Sequence, residues 1–117
     1  MTITSSNDQW FDICELADIL PSMGRCALFI DKQIAIFRVS NLTGTEEFYA
    51  IDNYCPFSNA NTLSRGITGT IEGKIVIASP LYKQHFDLVT GICLEDESVK
   101  VNTYPVRLDG NTIQLAA

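Results

Sequence analysis

The residues best equipped for chemistry are four cysteines and a single histidine. Cys14, Cys26, Cys55 and Cys93 are scattered along the chain, with no C-x-x-C pair among them. Zinc ribbons and ferredoxin-type clusters use closely spaced thiols, so spacing alone points to no metal site. Isolated cysteines of this kind read first as small buried hydrophobes. His85 has no second imidazole to join it, which argues against a His-rich metal site or a catalytic triad. A Cys–His nucleophilic pair using Cys55 or Cys93 stays conceivable, although nothing in the sequence brings either thiol to His85.

Other patterns offer less. Gly66 to Gly69 and Gly69 to Gly73 are glycine pairs without a phosphate-binding signature, and they read as turns. Glu95, Asp96 and Glu97 form a short acidic cluster. A solvated loop is its default reading, and a docking patch for a basic surface is the alternative.

The elements that must position these residues read as strands. Turn signals recur about every ten residues, and the runs between them are rich in β-branched and aromatic residues, the pattern of a sandwich or barrel. Strands are predicted at 10–14, 25–30, 33–39, 48–52, 74–78, 85–89, 99–108 and 112–115. Residues 15–20 could form one helical turn that Pro21 stops. The continuous apolar run 74–78 suits a strand buried on both faces. Asp109-Gly110 is the strongest hairpin signal, because both residues tolerate positive φ. Pro105 should mark an edge or a bulge, and 53–73 reads mostly as loop with short strands.

A chain of 117 residues fits one domain. Residues 1–8 read as a flexible N-terminus and 9–117 as a single β domain. With 8 basic against 14 acidic residues the formal charge is −6, which disfavours nucleic acid and anionic membranes as partners. No stretch has the apolar length of a membrane span, and the polar start lacks the features of a signal peptide. A cytoplasmic location, where thiols stay reduced, is therefore expected.

The order of motifs carries a resemblance. Cys55-Pro56-Phe57, Leu63-Ser64-Arg65-Gly66, Ala78-Ser79-Pro80-Leu81-Tyr82-Lys83-Gln84-His85-Phe86-Asp87-Leu88 and Thr90-Gly91 resemble the two cluster-binding loops of Rieske [2Fe–2S] domains. Those loops carry C-x-H and C-P-x-H, followed by F-D and T-G, with two Cys on one iron and two His on the other. Laid on that pattern, Cys55 takes the first Cys position, Phe57 the first His, Ser79 the second Cys and Tyr82 the second His. Three of these four positions thus carry side chains unsuited to the cluster, because a phenyl ring cannot ligate iron and neutral hydroxyls replace thiolate and imidazole poorly.

Further matches extend the resemblance over nearly the whole chain. They are Trp10-x-x-Ile13-Cys14, Asp18-Ile19-Leu20-Pro21, Gly24-x-Cys26-Ala27-Leu28, Ala35-Ile36-Phe37-Arg38, Gly91-x-Cys93-x-Glu95-Asp96-Glu97 and Gln114-Leu115. Together they are similar to the small subunits of assimilatory NAD(P)H-dependent nitrite reductases. The resemblance implies an all-β, Rieske-like (ISP-domain) sandwich or partly open barrel of antiparallel sheets, without an iron–sulfur cluster. It implies an accessory role in reducing nitrite to ammonium, with no catalytic, cofactor-binding or metal-binding residue here. FAD, iron–sulfur and sirohaem would belong to a large-subunit partner.

If the cluster is gone, something else must tie the two loops together. Phe57, Leu81 and Tyr82 are expected to pack in its place. Pro56, Phe57, Pro80, Leu81 and Lys83 form a candidate docking patch for the large subunit, being apolar and Pro-stiffened on an otherwise acidic protein. Two other readings stand beside this one: a free-standing β-barrel interaction module, and a metal-binding electron carrier with unusual ligands such as Cys55 and His85.

Overall fold

A computed structural model describes residues 9–40, 43–80 and 83–116. The expected flexible segment 1–8 lies outside those residues, as do the site positions Leu81 and Tyr82. Among the described residues twelve strands arrange as antiparallel sheets that do not close into a barrel. β1 (Trp10–Glu15), β11 (Val106–Asp109) and β12 (Thr112–Ala116) form one sheet in the order β1-β12-β11. A second sheet orders as β10-β4-β3-β2, from β2 (Gly24–Phe29), β3 (Lys32–Ser40), β4 (Glu46–Asp52) and β10 (Thr103–Tyr104). A third, β7-β8-β9, contains β7 (Ile67–Ile71), β8 (Lys74–Ala78) and β9 (His85–Asp87). β5 (Tyr54–Cys55) and β6 (Ala60–Asn61) form a short ribbon within the first loop.

β3 explains the layering. Ile34 and Ile36 enter one core with Ile19, Phe29, Ala50, Ile113 and Leu115. Ala35, Phe37 and Val39, pointing the opposite way on the same pleat, enter a second core with Ile51, Cys55, Leu63, Ile77, Phe86, Leu88, Cys93 and Val101. The first core lies under the sheet that joins the two ends of the described chain, and the second under the loops that resemble a Rieske tip. The strand expected to be buried on both faces, 74–78, does bury neighbouring Val76 and Ile77.

Several expectations shift in detail. The helical turn is a 3-10 turn at Leu16–Asp18, whose backbone Glu15 N–H bonds the Asp18 carboxylate at 2.9 Å. The hairpin expected at Asp109-Gly110 turns one residue later, because Asp109 still pairs with Thr112. Gly110 then takes the first central position with φ of +64°, the requirement of a type II′ turn. The glycine reading needs one correction: Gly66 closes a 3-10 turn and Gly73 sits in a turn, but Gly69 is the middle of β7, paired with Val76. The run expected as a strand over 99–108 is broken instead. β10 pairs with β4 while β11 pairs with β12, and Pro105, lacking an N–H for the ladder, stands where the chain changes sheets.

Candidate functional site

Two loops meet at one end of the second core. The first leaves β4, passes through β5 and β6 and enters a 3-10 turn at Leu63–Arg65. The second is the hairpin between β8 and β9, where Ala78 pairs with His85. Its neck is closed by Ser79 N–H donating to Gln84 O at 2.8 Å and Lys83 N–H donating to Ser79 O at 2.9 Å. Lys83 takes a left-handed φ of +62° to make that return.

The motifs shared with Rieske domains prove to be the joints of these loops. Gly66 lies so near the second loop that a Cβ there would stand 2.1 Å from the Ala78 carbonyl oxygen. At Gly91, with φ of +79°, an added Cβ would come within 2.1 Å of the Val101 carbonyl. Asp87 Oδ1 accepts from the Val89 and Thr90 amides at 2.8 and 3.3 Å, which makes the turn into Gly91. These positions fix backbone shape and need no metal to do so.

Where a cluster would bind, side chains meet each other. Cys55 and Ser79, both buried, bring Sγ and Oγ to 3.5 Å. The Phe57 ring lies 6.0 Å from that of Phe86 at 50°, packed against the second core. A tilted aromatic pair of this kind is favourable beyond its area burial. The thiol and the ring account for two of the four ligand positions and Ser79 for a third, while Tyr82 lies outside the described residues. A Rieske [2Fe–2S] cluster is held by two imidazoles and two thiolates, and these residues do not fit one. Among the described residues no group of His, Cys, Asp and Glu is placed to hold a metal ion.

Electrostatics distinguish the two buried thiols. Burial opposes ionisation of Cys55, but hydrogen bonds from the Ser79 and Ser58 hydroxyls and the Ser58 and Phe57 amides outweigh it and hold the thiol below its ordinary 9.0. Cys93 moves the opposite way: burial raises it, and the Glu95 carboxylate adds to the rise. Its Sγ lies 3.6 Å from Glu95 Oε1. The same carboxylate accepts from the His85 amide at 2.7 Å and contacts His85 Nδ1 at 2.6 Å. Thiol and imidazole therefore both address Glu95, so Cys93 and His85 are joined through a carboxylate and not as a nucleophile and its base. Cys55 is engaged with Ser79, leaving the Cys55–His85 carrier reading without support.

Sequence reading missed two organising residues. Asn53, buried just ahead of β5, accepts from the Ser64 amide at 2.7 Å and donates to Gln33 Oε1 at 3.1 Å and Cys26 Sγ at 3.5 Å. It ties the first loop to β2 and β3. Glu95 belongs to the acidic cluster read as solvated, yet it clips β9 through His85. Asp96 caps the Ser98 amide at 3.1 Å, and Glu97 is exposed. An asparagine at a strand end is a weak turn signal, and no local pattern announces Glu95, since its partner is ten residues away.

Of the candidate docking residues, Pro80 and Lys83 are exposed and Pro56 and Phe57 half-buried, while Leu81 lies outside the described residues. A surface groove of about 620 Å³ runs past Glu72, Lys74, Asp87, Thr90, Cys93 and Glu97. It is open and mixed in charge, unlike the enclosed apolar pockets that take small ligands. No helix among the described residues is long and apolar enough to cross a membrane.

Comparison with known proteins agrees with this geometry. The model of the Rieske-like [2Fe-2S] domain family matches residues 9–116. The nitrite reductase (NADH) small subunit of Escherichia coli K12 is 44% identical over 107 residues, covering 92% of this chain and 96% of that one. The solution NMR structure of the nitrite reductase [NAD(P)H] small subunit from Erwinia carotovora superposes with a TM-score of 0.74 at 41% identity, over 92% of this chain and 81% of that one. A nitrite reductase [NAD(P)H] large subunit from Klebsiella oxytoca contains a related stretch, 36% identical over 104 residues, which is 89% of this chain and 10% of that protein. The chain belongs to the nitrite reductase [NAD(P)H] small-subunit family, within the Rieske-like [2Fe-2S] domains.

Proposed function

We propose that the chain is the accessory small subunit of an NAD(P)H-dependent nitrite reductase, working with a large redox subunit in the conversion of nitrite to ammonium. The observation that carries this is the loop junction itself. In a chain 44% identical to such a subunit, a thiol–hydroxyl contact and a phenyl pair occupy the ligand positions. FAD, iron–sulfur and sirohaem then reside in the large subunit, and this chain contributes shape. The Klebsiella large subunit, which carries a related stretch within its own polypeptide, supports such an association. A cytoplasmic location is favoured by free cysteines, one of them the exposed Cys26.

The docking surface in this reading is the tip: Pro56, Phe57, Pro80, Leu81 and Lys83. Two prolines limit the entropy lost on binding, and Lys83 offers a positive point on an acidic protein. Nitrite-dependent NAD(P)H oxidation by the large subunit is measured with and without this chain. Stimulation or stabilisation by the added chain is expected, and no effect on rate, yield or half-life removes the accessory role. Co-purification with the large subunit should weaken in Lys83→Glu and Leu81→Ala, and unchanged co-purification excludes the tip as the docking surface. Stoichiometric iron and sulfide in the purified chain would contradict the assignment of cofactors.

A further inference from the structure

β7 is unlike the other edge strands. An edge presents unpaired backbone N–H and C=O groups, and proteins blunt it with charge, proline or brevity. β1 carries Asp12 and Glu15, β2 carries Arg25, β11 carries Arg107 and Asp109, β10 has two residues, and the outer edge of β9 is covered by backbone bonds to Ile92 and Leu94. β7 reads Ile67-Thr68-Gly69-Thr70-Ile71 and has none of these protections. Among the described residues its backbone pairs with β8 alone. Ile67 is 79% exposed, the most of any large apolar side chain described.

The strand is also a palindrome about Gly69. We propose that β7 is a self-association edge, on which β7 of a second copy adds antiparallel about a two-fold axis at Gly69. A two-fold interface must be self-complementary, and this strand satisfies that residue by residue. Ile67 faces Ile71 of the second copy, Thr68 faces its Thr70, and Gly69 meets its own counterpart. β-branched pairs and Thr–Thr pairs are favourable cross-strand neighbours. The ends agree in charge. Arg65 precedes the strand and Glu72 follows it, so antiparallel pairing sets Arg65 of each copy toward the end bearing Glu72 of the other. A Cβ at Gly69 would meet nothing within 4 Å in the single chain, so the glycine is not required by the chain's own packing.

The result is a continuous six-stranded sheet from two three-stranded ones. A five-residue ladder buries less than a standard interface, so the dimer is concentration-dependent. It stands apart from the reading of the tip as the large-subunit contact.

Sedimentation equilibrium of the full chain over a concentration series tests this, with circular dichroism to confirm folding. Wild type should show reversible monomer–dimer behaviour. Gly69→Lys and Gly69→Glu each place like charges opposite one another across the axis and should weaken the dimer by roughly tenfold. An equimolar mixture of the two should recover association, since Lys then faces Glu. Wild type that stays monomeric at every concentration, or a dimer that Gly69→Lys leaves intact, overturns the proposal. So does failure of the mixture to recover while both variants are folded. Loss of large-subunit binding by Gly69→Lys in a chain that never dimerises would assign the edge to that partner instead.

Discussion

The two cores of this molecule are held by different means. Around Ile34, Ile36, Ile113 and Leu115 the ladders are longer: β12 pairs with β11 in unbroken register and with β1 through one bulge between Asp12 and Cys14, and apolar side chains fill the space between sheets. Around Cys55, Phe86 and Cys93 the ladders are short, and buried polar groups hold the loops: Asn53, Ser79 and Asp87. In metal-bearing relatives of this fold, ligation ties such loops together. Here hydrogen bonds and one aromatic pair take that place, which suits a tip kept for its shape. Loops of this shape can thus be held without ligation where each loop residue finds a packed or hydrogen-bonded partner.

Breaking the regular core should cost most. Ile113 is fully buried, and Ile113→Ala should destabilise by roughly 2–5 kcal/mol in denaturant unfolding. Next comes the polar hub of the tip. Asn53→Ala removes the acceptor of the part-buried Ser64 amide and the donor to Gln33 Oε1 and should cost about 1–2 kcal/mol. Hydrogen exchange sharpens the contrast: amides of the two loops should speed up in Asn53→Ala while those of β1, β11 and β12 keep their protection. Equal acceleration in both regions would show that the cores are not separable.

Comparable and smaller effects are expected at the former ligand positions. Phe57 is half-buried, so Phe57→Ala should cost about 1–2 kcal/mol. Ser79→Ala removes one long hydrogen bond to Cys55 and should cost about 1 kcal/mol or less. The smallest change concerns pH. Burial raises the Glu95 carboxyl, but hydrogen bonds from the His85 amide and ring outweigh it and bring it below 4.5. A depressed value means that the contribution is complete above the unfolded value of 4.5 and fades as pH falls through the folded one. With the Glu95 side chain 47% exposed, solvent screens the pair. Glu95→Gln should therefore flatten the acid limb of the stability curve only slightly, read from unfolding midpoints below pH 4.5.

Strand positions were legible where the signal was local. β3 and β8 follow from unbroken apolar runs, and the 109–112 hairpin from its glycine. β7 was not legible, because Gly66, Gly69 and Gly73 look like turn residues and only pairing with β8 makes Gly69 a strand residue. The break at Pro105 was visible as an irregularity, but the change of sheet was not, since it depends on which distant strand each half meets.

By itself the amino-acid sequence determined the all-β class, most of the strands, the family and which side chains stand at the positions of the Rieske ligands, because each of these is carried by residue type and near-neighbour spacing. Only the tertiary structure decided what replaced them. Cys55 meets Ser79 across 24 residues and Asn53 reaches Gln33 across 20. Contacts over such separations are set by how sheets stack, and no local period of two encodes them.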